Sequence, residues 1–323
     1  MQKRRTTTTV NEYLSEWLVT QELALRRSTY ESVEIYITRH LMPHFAGKDL
    51  ADLKAIDIQN YAKTKLTNGR LDRKPGGLSL VSVRKHISVF KQALNDAVLR
   101  GYIPINPASV IRLPRNRHKL SARAVLLTAE DAQRVIAAFA GHNLQPAVVL
   151  TLYYGLRRSE VLGLKWSAVD FQKDTITIRH TVVKNRTIVA NDTTKTESSH
   201  RTYQMIPEVK ELLLRLYQDR PCGSEYINVW PDGRLMRPDY VTRGFQRVLR
   251  SHGLPVMRFH DLRHSTASIL FDRGWSLEDV KNWLGHADLE TTSNIYLHYN
   301  QNRKVLLAGS LAGIFIPTAK NSP

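Results

Sequence analysis

Six side chains stand in an order that suits phosphoryl transfer: Arg157, Lys195, His260, Arg263, His286 and Tyr296. Arg157 lies in Gly-Leu-Arg-Arg-Ser-Glu and Lys195 in Thr-Lys-Thr. His260 and Arg263 belong to His-Asp-Leu-Arg, His286 to Leu-Gly-His and Tyr296 to Thr-Thr-Ser-Asn-Ile-Tyr. Arginine offers planar, forked donors that match phosphate oxygens. A lysine and two histidines neutralise further charge and move protons, and a tyrosine can attack phosphorus. A free tyrosine titrates near ~10 and is a weak nucleophile at neutral pH. Cations around the phosphate and a histidine beside the phenol lower the barrier to its attack.

Each fragment alone is weak. Arg157 and Glu160, three apart on one helical face, read by themselves as a structural ion pair. The apolar run around them predicts burial, however, and a buried arginine needs an anion. Lys195 falls between two strand-like segments, at a hairpin tip, where exposed lysines are commonplace. His260 and Arg263 open a helix whose free amides favour anions. His264, four residues after His260, raises a metal site, but no third ligand follows at standard spacing and none is expected. His286 follows Gly285 at a helix end, an ordinary place for histidine. Tyr296 is one of 13 tyrosines, with Tyr299 a near rival.

The elements that must position these groups form two sets. Val10, Tyr13, Leu14, Trp17 and Leu18 recur at helical spacing. A second helix, with Ser28 as its cap, carries Tyr30, Val33, Ile37 and Leu41. Ile56 to Leu66 suits a third, and Ser79 to Leu99 a fourth that Gly101 stops. Pro104, Pro107 and Pro114 then break the pattern. Thr128 caps a new helix, and Pro146 to Leu164 reads as a buried helical region. Thr175 to Ile178, Thr187 to Val189 and Thr202 to Ile206 read as strands. Helices return at Pro207–Tyr217, Arg237–Ser251, His260–Asp272 and Ser276–Leu284. The expected fold is mainly α with a small β-sheet. It comprises a helical bundle over residues 1–112, a basic linker over 113–126 and a mixed α+β domain over 127–323.

Composition narrows the partner. The 323 residues carry 47 Lys and Arg against 29 Asp and Glu, a net charge of +18. Residues 1–112 hold 18 basic and 10 acidic side chains, 113–127 hold four basic and none acidic, and 128–323 hold 25 and 19. A basic field over both halves and their connector suits a clamp around a polyanion, nucleic acid first. Val305 to Pro317 is too short for a membrane span, which needs ~20 residues. The N-terminus has no apolar core of a signal peptide. A single cysteine, Cys222, supplies neither an internal disulfide nor a thiolate zinc cluster.

In this order and spacing, the fragments from Gly-Leu-Arg-Arg-Ser-Glu to Thr-Thr-Ser-Asn-Ile-Tyr resemble the tyrosine recombinases, the phage-type integrases. The likeness runs from about Val10 to Tyr299. The ten-residue step from His286 to Tyr296 fits the phage and conjugative-transposon branch; Tyr299 lies too far along. The resemblance implies a core-binding bundle followed by a catalytic domain. Arg157 and Arg263 would grip the non-bridging oxygens of the scissile phosphate, and His286 would add a hydrogen bond. Lys195 would protonate the leaving 5′ oxygen, His260 would take the nucleophile's proton and Tyr296 would attack. Glu160 would support rather than react.

The resemblance further implies double-stranded DNA as partner, a homotetramer acting through a Holliday junction, and no metal or cofactor. An excisionase or host DNA-bending protein would assist, in the cytoplasm of a bacterium on its nucleoid. Many members of the branch carry an arm-binding domain ahead of the bundle. Here only Met1 to Thr9 precede it, so the enzyme would work without arm sites or the sequence is a shortened one. The apolar tail from Leu306 to Ile316 would dock on a neighbouring subunit, or equally on its own domain. The rivals are a monomeric type IB topoisomerase, a catalytically silent DNA-binding regulator and a metal-dependent nuclease. All six filled positions weigh against the regulator.

Overall fold

The computed structural model describes residues 8–114, 125–184, 188–191 and 200–285. The chain divides into two compact units, residues 1–121 and 122–323. In the first, α1 (Val10–Ala24) starts at a reciprocal cap: Thr9 Oγ1 accepts from the Glu12 amide, and the Glu12 carboxylate accepts from the Thr9 amide at 2.8 Å. Its buried residues are Val10, Tyr13, Leu14, Trp17 and Leu18, the face read from spacing. Helix α2 (Arg27–Ile35) runs through a π-helical turn, Tyr36–Leu41, into the short α3 (Met42–His44). The cap expected at Ser28 is not used: Arg26 is the extended residue before the helix, and Ser28 lies inside its first turn. Helices α4 (Ala55–Asn68) and α5 (Leu80–Leu99) complete the bundle. Ser79 caps α5, and Gly101 follows it at positive φ.

The second unit begins with α6 (Ala129–Ala138), capped by Thr128. The apolar stretch after it is not one helix. Helix α7 (Gln145–Tyr154) ends at Gly155, which takes left-handed geometry at φ 61°, and α8 (Arg158–Leu162) starts only after Arg157. Five strands follow among the described residues: β1 (Val169–Asp170), β2 (Thr175–Ile178), β3 (Thr181–Lys184), β4 (Ile188–Asn191) and β5 (Arg201–Gln204). They form two sheets where one was expected, an antiparallel β1-β2-β5 and a separate β3-β4 pair. Close packing on α8 accounts for the split. A Cβ on Gly163, at the end of α8, would lie 2.6 Å from both the His180 carbonyl oxygen and Thr181 Cα. That bare backbone lets β3 leave its neighbour β2 and pack on α8.

Helices α9 (Pro207–Gln218), α10 (Pro238–Ser251), α11 (Asp261–Asp272) and α12 (Leu277–Leu284) match the expected segments. Helix α7 is buried on nearly every side, and α11 lies along it. Thr266 of α11 donates its hydroxyl to the Leu152 carbonyl at 2.9 Å. Leu284 of α12 closes over Gly155, where a Cβ would stand 2.0 Å from its Cδ2. Four helix ends therefore meet at one glycine: the end of α7, the start of α8, the first turn of α11 and the end of α12. Among the described residues, no helix is long and apolar enough to cross a membrane.

Candidate active site

Arg157 is the extended residue that opens α8, with Glu160 three positions on. The pair is therefore a cap, not two neighbours on a helical face. The Arg157 amide donates to Glu160 Oε2 at 2.9 Å, and its Nη1 donates to Oε1 at 2.5 Å. The other end of the guanidinium, Nη2, donates to the Gly285 carbonyl at 2.8 Å. Arg157 keeps 33 % of its side chain exposed, whereas Glu160 keeps 2 %.

Arg263 lies one turn into α11 and is 1 % exposed. Its Nη1 donates to the Gly155 carbonyl. Burial, and next the Arg157 charge, push its pKa down to about 9, which leaves it charged at neutral pH. His260 sits just before the same helix and is solvent-exposed, its ring 4.9 Å from that of His264, edge to face. Partial loss of water, then His264 and Arg263, push His260 down to about 4. At neutral pH it is an uncharged imidazole able to accept a proton. Among the described residues, no cluster of three or more His, Cys, Asp or Glu is arranged to hold a metal.

Two residues that sequence reasoning passed over complete the constellation. Arg201, the first residue of β5, donates to Glu160 Oε2 at 2.9 Å and to Oε1 at 3.4 Å. Its Nε donates to the Tyr203 hydroxyl, which donates in turn to the Trp283 carbonyl. Burial opposes ionisation of Glu160, but Arg201 and then Arg157 hold its carboxyl down to about 2. The signal was available: Arg201 and Tyr203 are two apart in a strand and so share a face. A charged residue on the same face as a buried aromatic implies a buried counter-charge.

Of the six residues singled out from sequence, Arg157, His260 and Arg263 come together here. Lys195, His286 and Tyr296 lie outside the described residues. The hairpin tip expected to carry Lys195 also lies outside them; among the described strands, β4 pairs with β3 and β5 with β2. Among the described residues around Glu160, Arg157 and Arg201 pair with the carboxylate and Arg263 feels its charge, so three guanidinium groups share one carboxylate, a surplus of two positive charges. Such a surplus suits a phosphate, most of all a pentavalent one carrying two negative charges.

Residues 126–303, more than half of the chain, match the model of the phage integrase family, and residues 9–66 match its N-terminal SAM-like domain. The chain belongs to the phage integrase family and is a tyrosine recombinase, an enzyme of the phage and conjugative-transposon type. A XerC-like tyrosine recombinase of Caldanaerobacter subterraneus is 26 % identical, over 95 % of this chain and 84 % of its own length. The ICEBs1 integrase of Bacillus subtilis is 26 % identical, over 92 % and 81 %. In fold, the Tn1549 transposon integrase in complex with transposon right end DNA has a TM-score of 0.76 at 19 % identity, covering 93 % of this chain and 99 % of its own. A lambda integrase tetramer bound to a Holliday junction has 0.66 at 19 %, covering 90 % and 78 %.

Proposed function

We propose that this recombinase integrates and excises a mobile element by transesterification at Tyr296. The phenol oxygen attacks the scissile phosphodiester, a 3′-phosphotyrosine forms and the 5′ oxygen leaves as a hydroxyl. His260 takes the phenol proton, and Lys195 gives one to the leaving oxygen. Arg157 and Arg263 hold the non-bridging oxygens, with a further hydrogen bond from His286. Bond energy is kept in the phosphotyrosine, so a 5′ hydroxyl of the second duplex reverses the step without ATP. The surplus of two positive charges around Glu160 carries this reading. Arg157 is the accessible grip, and Arg263 is almost fully buried.

The enzyme works as a tetramer on two duplexes, cutting one strand of each at a time, with a Holliday junction between the two exchanges. The lambda integrase tetramer on such a junction supports this by likeness of fold. Helix α10 keeps Arg243, Arg247 and Arg250 exposed at helical spacing, a stripe suited to the phosphate backbone of a duplex. The protein acts on the nucleoid of a bacterium, with an excisionase or host DNA-bending protein as accessory. Domain limits of 1–112, 113–126 and 127–323 remain our reading of its organisation.

The test is a supercoiled plasmid carrying two end sites of the encoding element in direct repeat. Recombinant circles are the expected product. Relaxation without recombinants would favour the topoisomerase, and binding without either would favour the silent regulator.

A further inference from the structure

We infer that Arg201 and Tyr203 are positioning residues for strand cleavage, setting the Arg157 guanidinium and the turn before His286 through Glu160 and the Trp283 carbonyl. This rests on the reading of Arg157 as a phosphate ligand.

The contacts close a ring. Arg201 grips Glu160 from one side, while Arg157 takes the same carboxylate with its amide and its Nη1. Arg157 Nη2 then reaches Gly285, two residues beyond Trp283. The Tyr203 hydroxyl, itself held by Arg201, anchors the Trp283 carbonyl. Arg201 also packs directly on Gly285: a Cβ there would lie 3.0 Å from Arg201 Nη1 and 3.1 Å from its Cδ. Gly285 is left-handed at φ 67°, so it suits both the turn and this close approach. Arg201 thus supports both partners of the Arg157 side chain, Glu160 at Nη1 and Gly285 at Nη2.

None of this needs Arg201 to touch DNA. Its side chain is 10 % exposed, and its charge is spent on Glu160. What it supplies is a fixed rotamer for the residue that does. Without it, Glu160 is held by Arg157 alone, and the Tyr203 hydroxyl that anchors the Trp283 carbonyl loses its own donor. Misplacing a reacting group by about 1 Å costs on the order of 100-fold in rate.

The experiment compares single-turnover cleavage of nicked duplexes from the element's ends, carrying either a phosphodiester or an uncharged methylphosphonate at the scissile position. The variants are Arg201→Met, Tyr203→Phe and Arg157→Ala, each checked for DNA binding by gel shift and for folding by thermal melting. On the phosphodiester, Arg201→Met is expected to lose about 100-fold and Tyr203→Phe about 10-fold, with DNA binding retained. On the methylphosphonate, which has no charge for Arg157 to hold, both deficits shrink in step with that of Arg157→Ala. Equal losses on both linkages, or wild-type rates, overturn the inference. Tyr203→Phe removes one hydroxyl only, so it decides the matter if Arg201→Met does not fold. If Arg157→Ala itself shows no dependence on linkage, the phosphate-ligand reading fails. If it does and the β5 variants do not, only the positioning role fails.

Discussion

Arg263→Lys stops strand cleavage while leaving DNA binding in place, with an expected loss of roughly 1,000-fold, or about 4 kcal/mol, in the cleavage step. The reason is geometric rather than a matter of net charge. Arg263 is almost fully buried and holds the Gly155 carbonyl with Nη1. A guanidinium keeps that anchor and still presents further donors to a phosphate; a lysine ammonium is a compact point charge that cannot hold both. Burial and the Arg157 charge already disfavour the cation, pushing Arg263 down to about 9. A bound phosphate relieves that cost, most strongly when negative charge builds up at phosphorus. Single-turnover cleavage with a gel shift alongside measures both quantities. A lysine variant cleaving at the wild-type rate would remove Arg263 from the phosphate site.

Glu160→Gln is expected to destabilise the second unit by about 3–5 kcal/mol at pH 7, the scale for breaking a buried ion pair from one side. Glu160 is the carboxylate between Arg157 and Arg201, and an amide leaves both guanidinium groups short of a counter-charge. The pH dependence identifies the cause. The folded carboxyl titrates at about 2 against an ordinary 4.5. Its contribution is therefore complete above about pH 4.5 and is lost as pH falls toward 2. The stability gap between wild type and variant should be widest at neutral pH and narrow below 4.5. Urea titrations followed by tryptophan fluorescence report this, since Trp166, Trp230, Trp275 and Trp283 all lie in the second unit. A gap that stays constant with pH would place the loss in packing rather than in the ion pairs.

What the sequence made legible was local. The buried face of α1 and the cap at Thr128 depend on neighbours within a turn, so spacing reveals them, whereas the cap expected at Ser28 fell inside its helix. The break at Gly155 was hidden, because an apolar run gives no sign that its glycine is left-handed or that Leu284 must close over it. Strand pairing was not legible for the same reason. Nothing near Lys195 states that β5 pairs with β2 while β4 pairs with β3. At the site, Arg157, His260 and Arg263 stood out because each sits in a motif whose chemistry is visible in a few residues. Arg201 did not: its shared strand face with Tyr203 was a faint signal, and its partner Glu160 is 41 positions away, brought near by the fold.

The nucleophile is open to direct measurement. Wild type, Tyr296→Phe and Tyr299→Phe are incubated in EDTA with nicked duplexes from the ends of the element that encodes the protein, then run on a denaturing gel. A covalent protein–DNA adduct formed by the wild type and Tyr299→Phe, and lost in Tyr296→Phe, is the expected result. An adduct that survives in Tyr296→Phe, or a wild type that binds this DNA yet forms no adduct, contradicts transesterification at Tyr296.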